Sequence, residues 1–273
     1  MKTEIYYFSG TGNSLYIARE LKKRLPGVSL IPIVKLLKKD RITAAAESVG
    51  FIFPVYLTTL PAPVRLFLEK LDISRTKYIF SVATRIGTFA VANRNIERIL
   101  KLKGKSLDAQ FFINMAGNSP TGLKPGKGDK KWADKISKKN ITLIESTLKS
   151  RLSEISGMIK AKKKFPEKTL NNPLFSILER VMYYLTYKTN VNIGYYTDNS
   201  CTGCGKCSEV CLSGKVKIIK KKPVWQRGVN CFYCYACFNV CPFQSILIKD
   251  KYTYKNGRYI HPGITADDIA AQK

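Results

Sequence analysis

Histidine is almost missing from this chain: His261 is the only one in 273 residues. A Ser-His-Asp triad or a Cys-His nucleophile would have to use that one side chain, and zinc sites of the histidine type lose most of their ligands. Acidic residues are scarce as well, 19 against 47 basic, which leaves a formal charge of +28. No apolar run reaches the roughly 20 residues a membrane-spanning helix needs. The most apolar short stretch, Pro173 to Tyr187, is interrupted by Glu179 and Arg180. Two nucleotide-binding signatures are absent: there is no GxxxxGK followed by Ser or Thr, and the GxGxxG pattern begun by Gly10 and Gly12 meets Leu15 where the third glycine belongs. Any catalysis by this chain would therefore be carried by cofactors.

What is present is concentrated at the two ends. All eight cysteines stand in two ladders, Cys201, Cys204, Cys207 and Cys211, then Cys231, Cys234, Cys237 and Cys241 followed by Pro242. Both read CxxCxxCxxxC. A [4Fe-4S] cube takes one thiolate per iron, and three thiolates on one tight loop can grip three corners while the fourth comes from elsewhere. All-cysteine zinc sites use paired CxxC elements and have no use for a third cysteine at the same spacing, twice. A disulfide framework suits small secreted chains, whereas Met1 to Phe8 reads as a strand rather than a leader, so a cytoplasmic protein is expected.

The unit from 198 to 250 resembles a bacterial-type two-cluster ferredoxin, with Leu212 where that family usually has proline after the first ladder. In that family the fourth cysteine of each run ligates the other cluster. The resemblance thus implies two [4Fe-4S] clusters, one on Cys201, Cys204, Cys207 and Cys241, the other on Cys231, Cys234, Cys237 and Cys211. Phe232, Tyr233, Tyr235, Phe238 and Phe243 are expected either to exclude water from the clusters or simply to fill a small core.

At the N-terminus a strand runs into Ser9, Gly10, Thr11, Gly12, Asn13 and Ser14, then into a helix whose apolar face is Leu15, Ile17, Ala18, Leu21 and Leu25. Strand, glycine-rich hydroxyl loop and helix start make an anion-binding arrangement, in which the glycines let backbone N–H groups approach a phosphate and the side chains of Ser9, Thr11, Asn13 and Ser14 are four further donors. The plainer alternative is a strand-to-helix turn capped by a hydroxyl. The loop resembles the FMN phosphate loop of flavodoxins. Further strands are expected at Val28 to Val34, Ser48 to Phe53, Lys77 to Ala83 and Ser106 to Ile113, with helices at Pro61 to Leu71, Phe89 to Leu102 and Lys135 to Lys163. This alternation predicts an α/β fold and matches a flavodoxin-like, doubly wound, five-stranded parallel sheet of order 2-1-3-4-5; the ferredoxin resemblance implies a small α+β domain after it. In such a sheet the loops after strands three and four should also face the flavin. They offer Pro54, Val55, Tyr56 and Leu57, then Thr84, Arg85, Ile86, Gly87 and Thr88. Tyr56 is expected to lie against the ring, Arg85 to steady a reduced flavin, and Gly87 to permit close approach.

The expected organisation is a flavodoxin-like domain over 1–165, a linker with an amphipathic helix over 166–197, the ferredoxin unit over 198–250 and a tail over 251–273 that packs on one domain. The whole resembles fused flavodoxin-fold and two-cluster ferredoxin proteins of anaerobic prokaryotes, which implies electron transfer with FMN as the second cofactor. Two alternatives stay open: a cluster-fed flavin reductase of a small substrate, and a ferredoxin whose flavodoxin-like part is an FMN-free docking module. Basic charge is spread widely, 14 basic against 5 acidic residues over 121–168 and 8 against 2 over 199–250. It favours an acidic redox partner, a ferredoxin, flavodoxin or oxidoreductase. Nucleic acid is the rival explanation, without any helix-turn-helix, zinc finger or RNA-binding signature to support it. Peripheral contact with an anionic membrane surface is another.

Overall fold

A computed structural model describes residues 2–87, 90–119, 136–166, 177, 181, 184, 193–249, 255 and 257–273. The expected helix from Pro173 to Tyr187, the loop beyond residue 119 and Thr88 lie outside the described residues, apart from 177, 181 and 184. The first half runs β1 (Thr3–Tyr7), α1 (Asn13–Arg24), β2 (Val28–Pro32), α2 (Ile33–Leu36), β3 (Ile42–Thr43), β4 (Ser48–Pro54) and α3 (Ala62–Lys70). It continues with β5 (Leu71–Asp72), β6 (Tyr78–Arg85), α4 (Ala92–Lys101), β7 (Ala109–Asn114) and α5 (Lys138–Lys160). Five of the strands form one parallel sheet in the order β2-β1-β4-β6-β7. Counted within that sheet this is 2-1-3-4-5, which fits a flavodoxin-like domain.

The sequence dictates this sheet through burial on both faces. From Ser48 to Phe53 and from Tyr78 to Thr84 every residue is buried, as central strands of a helix-covered parallel sheet require. Gly50 has a packing reason: a Cβ there would lie 2.2 Å from the ring of Phe80, its register partner on β6. Each fully buried Ile or Phe of this layer contributes about 1.5–3 kcal/mol. α1 packs Leu15, Ile17, Ala18 and Leu21 inward and carries Lys22, Lys23 and Arg24 in its last turn, where cations favour the helix dipole.

Several helix limits differ from expectation. α4 starts at Ala92 rather than Phe89. α5 starts after Ser137, whose hydroxyl caps it by accepting from Asn140 N at 3.3 Å. Its buried face is Leu148, Leu152, Ile155 and Ile159, while Leu143, at helical spacing with them, is 66% exposed. The short parallel pair β3–β5 was not expected at all.

The C-terminal part is built of small pieces. β8 (Tyr195–Thr197) comes first and α6 (Lys206–Glu209) follows within the first cysteine ladder; β9 (Val216–Ile219) and β10 (Lys222–Trp225) form an antiparallel hairpin. α7 (Ala236–Val240) lies in the second ladder, β11 (Ile246–Ile248) pairs antiparallel with β8, and α8 (Ala266–Ala270) ends the chain. Thr265 and Asp268 close a capping box on α8. No helix among the described residues is long and apolar enough to cross a membrane.

Candidate functional site

The loops after β1, β4 and β6 meet at one end of the sheet and enclose a cleft of about 290 Å³. Ser9, Gly10, Thr11, Asn13 and Ser14 line it from the first loop, Pro54 to Thr58 from the second, Thr84, Arg85 and Ile86 from the third. The structure thus gathers most of the residues expected there. Gly12 and Gly87 do not line it. Gly12 (φ 98) sits under the C-terminal tail, where an added Cβ would lie 2.9 Å from Ile264. Gly87 is required by its φ of 85, not by a close approach, since a Cβ there would meet only Asn114 Nδ2 at 3.9 Å.

Gly10 is a tight contact of another kind. A Cβ on it would lie 2.6 Å from the Cys234 carbonyl oxygen and 2.6 Å from the Tyr56 hydroxyl. The first loop is therefore seated directly on the second cysteine ladder. Tyr56 is correspondingly buried, with its ring edge-on to Phe8 at 6.2 Å. Between Tyr56 and Thr59 the chain makes a two-residue turn closed by reciprocal backbone hydrogen bonds of 3.2 and 2.9 Å. Leu57 (φ 48) and Thr58 (φ 69) both occupy the left-handed region, a conformation that costs about 1 kcal/mol or more for such residues. The turn's two hydrogen bonds and a third, from Val91 N to Thr58 O at 2.8 Å, impose this conformation and place Leu57, half exposed, at the cleft.

No side chain caps α1, so the positive end of its dipole is turned to the cleft through Asn13 and Ser14. Side-chain donors are fewer than the four expected. Asn13 is committed at both ends, its Nδ2 donating to Ala116 O at 2.9 Å and its Oδ1 accepting from Tyr259 at 2.6 Å. Ser9 Oγ accepts from Gly12 N at 3.2 Å, and Ser14 Oγ pairs with Thr84 Oγ1 at 2.9 Å. Ser9 keeps its hydroxyl proton, and one proton of the Ser14–Thr84 pair remains. An open helix start with hydroxyl donors at this cleft fits a phosphate-bearing ligand such as FMN. Arg85 lies 4.2 Å over the Phe112 ring and donates from Nε to Asn114 Oδ1 at 3.3 Å.

The tail proves to be part of the site. Gln272, fully buried, accepts from Ser9 N at 2.9 Å and donates to Ser9 O at 2.8 Å. His261 N donates to Thr11 O at 2.9 Å, and the His261 ring stacks on Tyr16 with centroids 4.0 Å apart. Burial lowers the pKa of His261 to about 4, so it is neutral near pH 7. Upstream, Tyr259 N donates to Asn239 Oδ1, and Arg258 spans Phe238 O, Gln244 O and Ile246 O. One strap thus ties the cysteine-bearing part to the hydroxyl loop. Asn118 and Asn239 add a second tie, donating to Cys234 O and Asn118 O respectively.

The eight cysteines divide into two groups. Cys201, Cys204, Cys207 and Cys241 border one small cavity, together with Ile218, Pro223 and Phe243. Cys211, Cys231, Cys234 and Cys237 border another, with Tyr195, Lys215, Trp225 and Tyr235. Electrostatic reach follows the same division: Cys207 senses Cys241, Cys204 and Cys201, and Cys237 senses Cys211, Cys234 and Cys231. Among the described residues no three such side chains converge on a point that would hold a single ion. A cube makes no such demand, because each thiolate has its own iron. Burial pushes the thiol of Cys207 up to about 12, that of Cys231 to about 11, and those of Cys234 and Cys237 above their usual range. Such thiols ionise when a bound cation compensates their burial.

Backbone donors already face the sulfurs. Val216 N donates to Cys211 Sγ at 3.4 Å, Tyr233 N to Cys231 Sγ at 3.4 Å and Ser245 N to Cys241 Sγ at 3.2 Å. Around the second group two donors escaped the sequence reading. The Tyr195 hydroxyl and Trp225 Nε1 are buried without a hydrogen-bond partner among the described residues. Burial raises the pKa of Cys237 and Trp225 partly offsets it, while Tyr195, its ionisation opposed first by burial, lies in the field of Cys237, Cys231 and Cys234. Their rings stack at 5.3 Å. Buried Lys215 lies beside this group too, anchored on Gln226 O at 2.7 Å and Val229 O at 2.6 Å. Of the aromatics expected around the ligands, Tyr233 and Tyr235 face the cleft, Phe238 is fully buried, and Phe243 is 46% exposed.

No family model and no curated protein matches the chain. Among solved structures, a candidate flavoprotein from Bacteroides uniformis ATCC 8492 is similar over 42% of this chain and 92% of its own length. Identity is 19% and the TM-score 0.31, which adds nothing to what the strand order already says.

Proposed function

We propose that this chain is an electron-transfer flavo-iron-sulfur protein, of the kind in which a flavodoxin-like part and a two-cluster ferredoxin part are fused. One observation carries the reading. The loop from Cys231 to Cys237 presents its cysteines to one cavity and Tyr233 and Tyr235 to the cleft, so a single loop separates the two candidate cofactor sites, and Tyr235 borders both.

When bound, FMN would take up electrons as a pair and release them singly, while each [4Fe-4S] cluster would carry one at a time. Ser9, Thr11, Ser14 and Thr84 would hold the phosphate end with the open start of α1. Pro54 to Leu57 and Arg85 and Ile86 would flank the ring, with Tyr233 and Tyr235 as the wall toward the cysteines. Cys201, Cys204, Cys207 and Cys241 would ligate one cluster, and Cys231, Cys234, Cys237 and Cys211 the other. The group nearer the cleft is the more shielded: of its four cysteines only Cys231 is not buried, whereas Cys204 of the other group is exposed. That gradient suits a relay running between cleft and surface. A second reading, a flavin reductase, is favoured only by the accessible cleft and the half-exposed Leu57 and Ile86 beside it.

The test is the iron and flavin content of protein purified without oxygen. About eight irons and one FMN support the relay. Full iron with no flavin after incubation with FMN leaves a ferredoxin with a docking module. Zinc in place of iron would sink the reading.

A further inference from the structure

The β9–β10 hairpin has two different faces. Its inward pairs cover the cysteines: Ile218 and Pro223 border the first group, Val216 and Trp225 the second. Its outward pairs are Lys217 with Val224 and Ile219 with Lys222, all exposed. Ile219 is 51% and Val224 40% exposed. Phe243, half exposed, borders the first cysteine group together with Ile218 and Pro223.

The turn of this hairpin is Lys220-Lys221, with φ of 48 and 59. Positive φ at both central residues defines a type I′ turn, where Asn-Gly is favoured and lysine is strained. The turn also rests on the first ladder: a Cβ on Gly203 would lie 2.4 Å from the Lys221 carbonyl oxygen. Gly203 precedes Cys204, the exposed cysteine. A strained turn therefore sets exposed Lys220, Lys221 and Lys222 beside the most accessible ligand position.

We infer that the outer face of this hairpin is the docking site for an acidic redox protein, a deepening that rests on the electron-transfer reading above. Apolar side chains interspersed with lysines have the composition of a protein interface with a basic rim. A nucleic acid would use the lysines and leave Ile219 and Val224 unused, and two isolated side chains of this kind offer an anionic lipid surface little apolar area to bury. The exchange is one electron, lost by one protein and gained by the other, with no bond made or broken. Whichever protein is reduced at docking is the donor, and the partner supplies the oxidant or reductant.

The test uses the purified iron-loaded protein and an oxidised acidic flavodoxin as probe. Binding is read by anisotropy of the labelled flavodoxin, and transfer by stopped flow with the reduced chain, each from 50 mM to 400 mM salt, ionic strengths over which the Debye length falls from about 14 to 5 Å. K220N/K221G/K222Q removes three charges while giving the turn the residues it prefers. Its affinity and rate at low salt should fall about 10-fold and converge on the parent at high salt. K35Q/K38Q/K39Q, at and just after α2 on the flavodoxin-like part, should stay within about twofold. Equal losses in both variants, or none in either, would overturn the docking site. So would tighter binding of duplex DNA or phosphatidylserine vesicles than of flavodoxin, lost in the hairpin variant. Protein that lacks iron but still docks through the hairpin would defeat the electron-transfer reading alone, so the two failures are distinguishable.

Discussion

Replacing Gly10 by alanine tests how closely the two parts are joined. The new Cβ would meet Cys234 O at 2.6 Å, the Tyr56 hydroxyl at 2.6 Å and Cys234 Cβ at 2.7 Å. Unstrained carbon contacts lie near 3.5–4.0 Å, so the second ladder must retreat by roughly 1 Å. Two of the three obstructing atoms belong to Cys234, whose carbonyl is held by Asn118 at 3.2 Å, and Tyr56 is itself packed against Phe8. Overpacking of this kind costs about 1–3 kcal/mol, which lowers the midpoint of thermal unfolding by about 2–5 °C in a chain of this size. The assay is scanning calorimetry on flavin-free protein, parent and G10A, with iron content measured alongside. Iron on the second cysteine group should fall as well, because Cys234 moves with the loop. If Gly10 were needed only for approach to a phosphate, the flavin-free midpoints would coincide and FMN affinity alone would drop. Coincidence within about 1 °C would therefore refute the argument.

Other outcomes follow from the same contacts. Tyr195→Phe and Trp225→Phe each remove a donor facing the second cysteine group. Each should lower the potential of one cluster by about 40–80 mV in an EPR-monitored titration, taking about 1–2 kcal/mol per hydrogen bond to a charged sulfur. No change in either variant would remove them from the cluster's surroundings. Gln272→Ala strands Ser9 N and O in a buried place, so unfolding should come about 2 kcal/mol sooner in urea and FMN should bind more weakly. His261 has its pKa depressed from 6.5 to about 4 by burial. The unfolded chain then binds the extra proton first, so this term is intact above pH 6.5 and is lost as pH falls from 6.5 toward about 4, at most about 3 kcal/mol. A His261→Gln variant should show a shallower fall in stability over that window, and an unchanged slope would exclude the effect. Lys220→Asn with Lys221→Gly should also raise the unfolding midpoint, since it relieves two strained φ values.

Part of this protein was readable from the one-dimensional chain, for a physical reason. Strands buried on both faces must be continuous apolar runs, and helices that cover them must repeat every 3.6 residues, so Ile5 to Phe8, Val49 to Phe53 and the α1 stripe by themselves declare the parallel sheet. Short-range spacing likewise exposed the two ladders, because neighbouring ligands on a loop must be close in sequence. Tertiary structure decided everything that depends on long separations. Gln272 meets Ser9 across 263 positions and Tyr259 meets Asn13 across 246, and no local pattern marks such pairs, so the tail was expected to pack on one domain rather than to tie both together. Asn13 looked like a phosphate donor until its two ends were found occupied. Gly10 looked like a phosphate glycine and is also the point where the cysteine loop lands. Tyr195 and Trp225 stand outside both ladders and reach the second cysteine group only because β8 and β10 fold over it. Sequence determines which residues must be buried and which can share a loop; packing alone determines which distant residues share a site.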